Sequence, residues 1–248
     1  MNGYRTLAAR EIGSYFLSPV AYLTAVFFLV SLGFGFWFNI NVLKQGATAV
    51  EFIRAVHASA FVWIAVLFAV PVITMRTFAE EKKSGTIETL MTAPVSDTAV
   101  VLAKYTGAMV FYTVMWIPTL AYPYVVNLFS SEPLILDAGA MAGSYLGGLF
   151  IGMMFVAAGI LFSALTSNQI LAAIMTFALL TMFFLAGFLV YVGPLPWMRE
   201  HTGYISAVLH MYDFTKGVID TRPAVFYLSS TAWLLFAAVK AVEARRWK

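Results

Sequence analysis

The chain has no cysteine, which removes disulfide frameworks, thiolate metal sites and cysteine redox chemistry together. Charge is scarce as well: 11% of the residues are Asp, Glu, Lys or Arg, against 61% hydrophobic, and the mean hydropathy is +0.85. Soluble domains carry about a quarter charged residues, so the composition excludes that class. No GxxxxGK[ST] loop, HExxH pair or GxSxG elbow occurs. A phosphate-loop ATPase, a zinc peptidase and a serine hydrolase are thereby ruled out by their usual motifs. His57, His201 and His210 stand isolated at span ends or in links, so neither a catalytic residue nor a metal site is expected. The net charge of +3, without a basic stripe, gives no reason to expect nucleic acid as a partner.

What the chain does have is uncharged apolar length. A helix crossing the hydrocarbon core needs roughly 20 residues, and six runs qualify, at about 20–40, 58–75, 105–129, 140–165, 170–192 and 224–242. Each must be helical, because a backbone facing lipid has to satisfy its own hydrogen bonds, and the runs are too long for barrel strands. The expected fold is an all-α integral membrane protein, with residues 1–248 forming one six-helix domain. The leading stretch "MNGYRTLAAREIGSYFLSP" has two arginines, a glutamate and no small-residue cleavage pattern after the apolar run. It reads as a retained segment rather than a signal peptide.

Lysine and arginine set the orientation. With the N-terminus inside, ten basic residues fall on the cytoplasmic side, including Arg5, Arg10, Arg76, Lys82, Lys83 and Lys104; five fall outside. The positive-inside rule therefore places both termini in the cytoplasm of a multi-pass protein of the inner (plasma) membrane, surrounded by lipid. Within the runs almost no ionisable residue stands away from the ends. Ion-coupled carriers hold their ions with such residues, so an externally powered subunit fits better than a self-contained carrier or channel. A non-transporting scaffold also stays open, and a membrane-embedded enzyme would need paired buried polar groups.

Much of the charge gathers in "RTFAEEKKSGTIETLMTAP", residues 76–94. Nothing breaks a helix from Arg76 to Lys83, so the second span is expected to continue into the cytoplasm and end at Gly85, a residue suited to a left-handed C-cap. Lys82 and Lys83 then complement the helix C-terminus. Beyond Gly85, Ile87, Leu90 and Met91 share one face of two further helical turns before Pro94. So short a helix is marginal alone and needs a surface. That surface could be the membrane or a partner. Ser96, followed by Asp97, is the expected N-cap of the third span.

The wider stretch "MRTFAEEKKSGTIETLMTAPVSDTAVVLAKYTGA" resembles the signature of type-2 ABC transporter permeases: an acidic pair, a Gly-Thr-Ile-Glu run, a proline, and a lysine opening the next span. It looks most like the branch of gliding-motility, copper and nitrous-oxide-operon permeases. "REIGSYFLSPVAYL", "GSYLGGLFIGMMFVAAGILFSALTSNQILAA" and "HMYDFTKGVIDTRPAVFYLS" resemble other parts of that branch. The resemblance implies a permease subunit of an ATP-driven exporter working by alternating access. It implies two copies of a separate ABC ATPase as partners, with ATP and Mg bound there and no cofactor on this chain. A second permease chain, identical or related, would close the conduit, with the first and fifth spans lining it. Glu80, Glu81, Gly85, Thr86, Ile87, Glu88, Leu90 and Met91 would form or anchor the coupling helix in a groove of the ATPase. The N-terminal amphipathic segment, with Arg5, Arg10 and Tyr15, would be the connecting helix along the inner leaflet.

Four further features carry structural expectations. Gly143, Gly147, Gly148 and Gly152 are spaced for close helix packing in the fourth span. The "LTSNQI" link is short, with Ser167 or Asn168 able to cap a helix. Phe34, Phe36, Trp37 and Phe38 suit an aromatic belt at the outer end of the first span. The link from Pro194 to Arg222 is too apolar for a solvated loop; the family resemblance implies short helices that roof the exit, and a plain interfacial helix pair fits the composition equally.

Overall fold

A computed structural model describes residues 2–44, 49–86, 95–129, 137–192, 202–217 and 220–244. The described residues form helices joined by short links, and six of these helices are long and apolar enough to cross a membrane. Span 1 is Pro19–Lys44, and span 2 is Ala60–Thr74 with a helical continuation, Arg76–Ser84, called the stem below. Span 3 begins at Asp97, upstream of the apolar run that signals it, and is regular to Trp116. It tightens into a 3-10 turn over Ile117–Ala121, where Pro118 removes a backbone donor, and resumes over Tyr122–Phe129. Spans 4, 5 and 6 are Ala138–Leu165, Gln169–Val192 and Thr221–Glu243.

Caps set several boundaries. The Ser96 hydroxyl accepts from Ala99 N at 3.2 Å, Asp137 accepts from Gly139 N and Ala140 N, and Asn168 accepts from Ile170 N and Leu171 N. Asn168, rather than Ser167, therefore opens span 5.

Span 4 is the centre of the bundle, and spans 2, 3, 5 and 6 all pack against it. Its glycines explain the closeness. A β-carbon at Gly147 would press into the Phe214 ring, one at Gly148 would meet Trp116, and one at Gly152 would overlap Tyr112. At Gly143 a β-carbon would strike the Phe214 carbonyl. The stripe thus receives span 3 on one side and the helix Ala207–Phe214 on the other. Spans 1 and 5 flank span 2 and leave large apolar side chains exposed, among them Val30, Trp37, Met182 and Phe188.

In the expected aromatic belt, Phe34, Trp37 and Phe38 are exposed, whereas Phe36 is buried and stacks on Tyr122 at 4.4 Å between ring centres. The link before span 6 is partly helical, at 202–205 and Ala207–Phe214. Besides its packing on span 4, two polar contacts help hold it: His210 Nδ1 lies 2.9 Å from the Tyr227 hydroxyl, and Arg54, on the helix Ala49–His57, sits over the Tyr212 ring and donates to its hydroxyl at 3.1 Å.

Candidate functional site

The stem, the N-terminal helix Asn2–Phe16 and the start of span 3 meet at one end of the bundle. The N-terminal helix lies directly on span 3. Gly107 makes this possible, since a β-carbon there would stand 3.0 Å from the Glu11 side chain. Tyr4 and Thr106 share a hydrogen bond of 2.8 Å, and Tyr15 stacks on Phe111 with ring centres 5.5 Å apart. The Tyr15 hydroxyl donates to Ile73 O at 2.9 Å, which ties the same helix to span 2. Burial, with Glu11 adding to it, pushes the Tyr15 phenol well above its ordinary pKa, so it stays a neutral donor.

The stem leaves span 2 at Met75, where the helix is interrupted. It ends as its sequence suggests: Lys82 and Lys83 occupy the last turn, and Gly85 follows with φ 74°, in the left-handed region. Around the interruption the backbone is rebonded. Phe78 N and Ala79 N both donate to Ser163 Oγ at 3.0 Å, Ser163 Oγ donates to Met75 O at 3.0 Å, and Thr77 Oγ1 donates to Thr74 O at 2.6 Å.

Lys104 joins the three elements. It is 2% exposed on span 3, and its ammonium lies 2.7 Å from Glu81 Oε1 of the stem and 3.3 Å from Glu11 Oε1 of the N-terminal helix. The Phe78 ring stands 5.2 Å from the same nitrogen. Arg10 adds a contact to Glu11 at 3.2 Å. A cleft of about 720 Å³ opens beside this cluster, lined by the N-terminal helix, the start of span 1 and the end of span 2. Among the described residues no cluster of His, Asp and Glu suits a metal ion.

The residues singled out in the sequence divide accordingly. Glu80, Gly85 and Thr86 are exposed along the stem and at its tip, with Glu80 paired to Arg76 at 3.6 Å. Glu81 turns inward to Lys104. Ile87, Glu88, Leu90 and Met91 lie outside the described residues. Arg5 and Arg10 are exposed on the N-terminal helix, whereas Tyr15 is packed between spans 2 and 3. The sequence reading gave no role to Glu11 or Ser163. Lys104, a charge amid apolar residues, was the signal that could have led to the first; Ser163 had none.

The sequence profile of the family described as "ABC-2 family transporter protein" matches residues 37–221, three quarters of the chain. The chain belongs to the ABC-2 transporter family. The matched region of this ABC-2 protein contains the stem, Lys104 and Ser163, while Glu11 lies outside it. Among curated proteins, the chain is 25% identical over 167 residues to the "Probable multidrug ABC transporter permease YbhR" of Escherichia coli K12. The protein of the same name from Escherichia coli O157:H7 matches equally. The match covers 67% of this chain and 44% of each relative, so the chain spans less than half the length of these curated relatives. Six apolar helices and membership of the family make this chain a multi-pass membrane protein of the ABC-2 transporter family.

Proposed function

We propose that this ABC-2 protein is the permease of an ATP-driven exporter, moving its substrate by alternating access under the push of two separate ATPase subunits that bind the ATP and Mg. The observation that supports this most is the Lys104 cluster. It joins the stem and the N-terminal helix to the foot of span 3, so that a force on either cytoplasmic element reaches a membrane span through a buried ion pair. The stem tip at Gly85 and Thr86, with the residues through Met91, supplies the docking element. Glu80 and Glu88 are its polar contacts to the ATPase, and Glu81 is an internal strut. Two permease chains, identical or related, form the conduit. Both termini are cytoplasmic, in the inner membrane. The name of the E. coli relatives makes multidrug-type apolar or amphiphilic compounds the first substrates to test, and the gliding-motility-like branch rests on the stretch 75–108.

The test uses the absence of native cysteine. Single cysteines along 85–92 are paired with cysteines in the groove of the co-expressed ATPase, and crosslinking is measured with and without ATP. Nucleotide-sensitive crosslinks at these positions are expected. A well-folded pair that yields none, with ATP hydrolysis indifferent to the permease, overturns the coupling role.

A further inference from the structure

The interruption of span 2 is repaired by a side chain from another span. In an unbroken helix the amides of Phe78 and Ala79 would bond to the carbonyls of Thr74 and Met75. Here both amides donate to Ser163 Oγ, and the Ser163 hydroxyl donates to the Met75 carbonyl. A hydroxyl offers one proton and two lone pairs, and all three are used. Ser163 is fully buried, so no water can replace it without opening the contact. One residue further along span 4, the Ala164 carbonyl receives the Lys82 ammonium of the stem. Four residues before it, Gly159 takes the Thr74 side chain so closely that any β-carbon there would overlap the hydroxyl. The base of the stem is therefore pressed onto the backbone of span 4 and bonded to its end.

We propose that Ser163 is a positioning residue for energy coupling: it sets the angle at which the stem leaves span 2 and makes span 4 the element that the stem moves. This rests on the exporter reading above and adds to it the route by which force enters the bundle. Because spans 2, 3, 5 and 6 all pack on span 4, a displacement there reaches the whole membrane domain. The repair also leaves the joint free to bend. A hydroxyl bonded to three backbone groups can follow small changes of angle that a continuous helix would resist.

Three variants separate hydrogen bonding from volume. Ser163→Ala removes the hydroxyl, Ser163→Cys keeps nearly its shape with a weak donor, and Ser163→Thr keeps the hydroxyl. In the purified permease alone, Ser163→Ala and Ser163→Cys should raise hydrogen exchange at the Phe78 and Ala79 amides about tenfold, as the loss of a buried hydrogen bond implies. Ser163→Thr should stay near wild type. In the complex with the ATPase, reconstituted in vesicles, the first two should retain ATPase binding and basal ATP hydrolysis but move several-fold less of a fluorescent amphiphilic dye per ATP, with Thr restoring the ratio. Unchanged exchange in Ser163→Ala overturns the repair itself. Raised exchange with an unchanged transport-to-hydrolysis ratio makes Ser163 structural only and overturns the positioning role, leaving the exporter reading intact. A wild-type complex that hydrolyses ATP without moving any substrate removes the exporter reading and the positioning role with it, while the exchange result still decides the repair.

Discussion

A lysine sheltered at the foot of a membrane helix is costly unless its charge is matched, and Lys104 is matched twice. Removing Lys104 takes the ammonium from Glu81 and leaves Glu11 only its contact with the exposed Arg10, and breaking such a buried pair costs about 3–5 kcal/mol. Lys104→Met should therefore lower the unfolding temperature in detergent by several degrees. The triple neutral variant, with Glu11→Gln and Glu81→Gln added, should recover much of that loss, since the charge then left without its partner, Arg10, is exposed. A triple variant no more stable than Lys104→Met would show that the cluster acts by packing rather than by charge. Legibility at this scale was uneven. Gly85 announced its left-handed turn and Ser96 its cap because both depend on local backbone alone. For Glu81 the family resemblance implied an anchor on the ATPase, and no local signal pointed to Lys104, which stands 23 residues away on another helix.

At the scale of the element, the helix Ala207–Phe214 is fixed by His210, which faces Tyr227, with Phe226, Asp213 and Asp220 nearby. Burial lowers the imidazole pKa from its ordinary 6.5, and the two aspartates oppose that shift without cancelling it. The sign follows from linkage. Protonation is easier in the opened state than in the packed one, so the packing is at full strength above 6.5 and weakens as pH falls from there towards the lowered value. Hydrogen exchange across 207–214, corrected for its intrinsic pH dependence, should rise several-fold between pH 7.5 and pH 5.5, and His210→Gln should abolish that rise. An identical rise in the variant would assign it to another group. Apolar residues in this link signalled helix, yet nothing in the sequence pairs His210 with a tyrosine 17 residues on. The stem shows the complementary case: its length and its end were readable from breakers and caps, whereas the interruption at Met75 depends on a hydroxyl from span 4.

For the whole molecule, burial is unequal among the six spans. Two thirds of the apolar window of span 4 is buried, against 33% for span 1, 22% for span 5 and 28% for span 6. The outer spans meet lipid or another chain. Oxidation of native membranes should crosslink two copies carrying Val30→Cys on span 1 and Met182→Cys on span 5, while Trp233→Cys on span 6 should stay uncrosslinked. All three side chains are exposed in the single chain, so dimers through Trp233→Cys alone would move the interface to span 6. The amino-acid sequence by itself determined the membrane class, the number of spans and the local stops and caps at Gly85 and Ser96, because hydropathy, span length and capping act over one helix at a time. Only the tertiary structure decided that span 4 is central, that the N-terminal helix rides on span 3, and that Glu11, Glu81 and Lys104 share one charge cluster. Those facts depend on which helix faces meet, and in spans that are apolar all round no periodicity marks the face that will be buried.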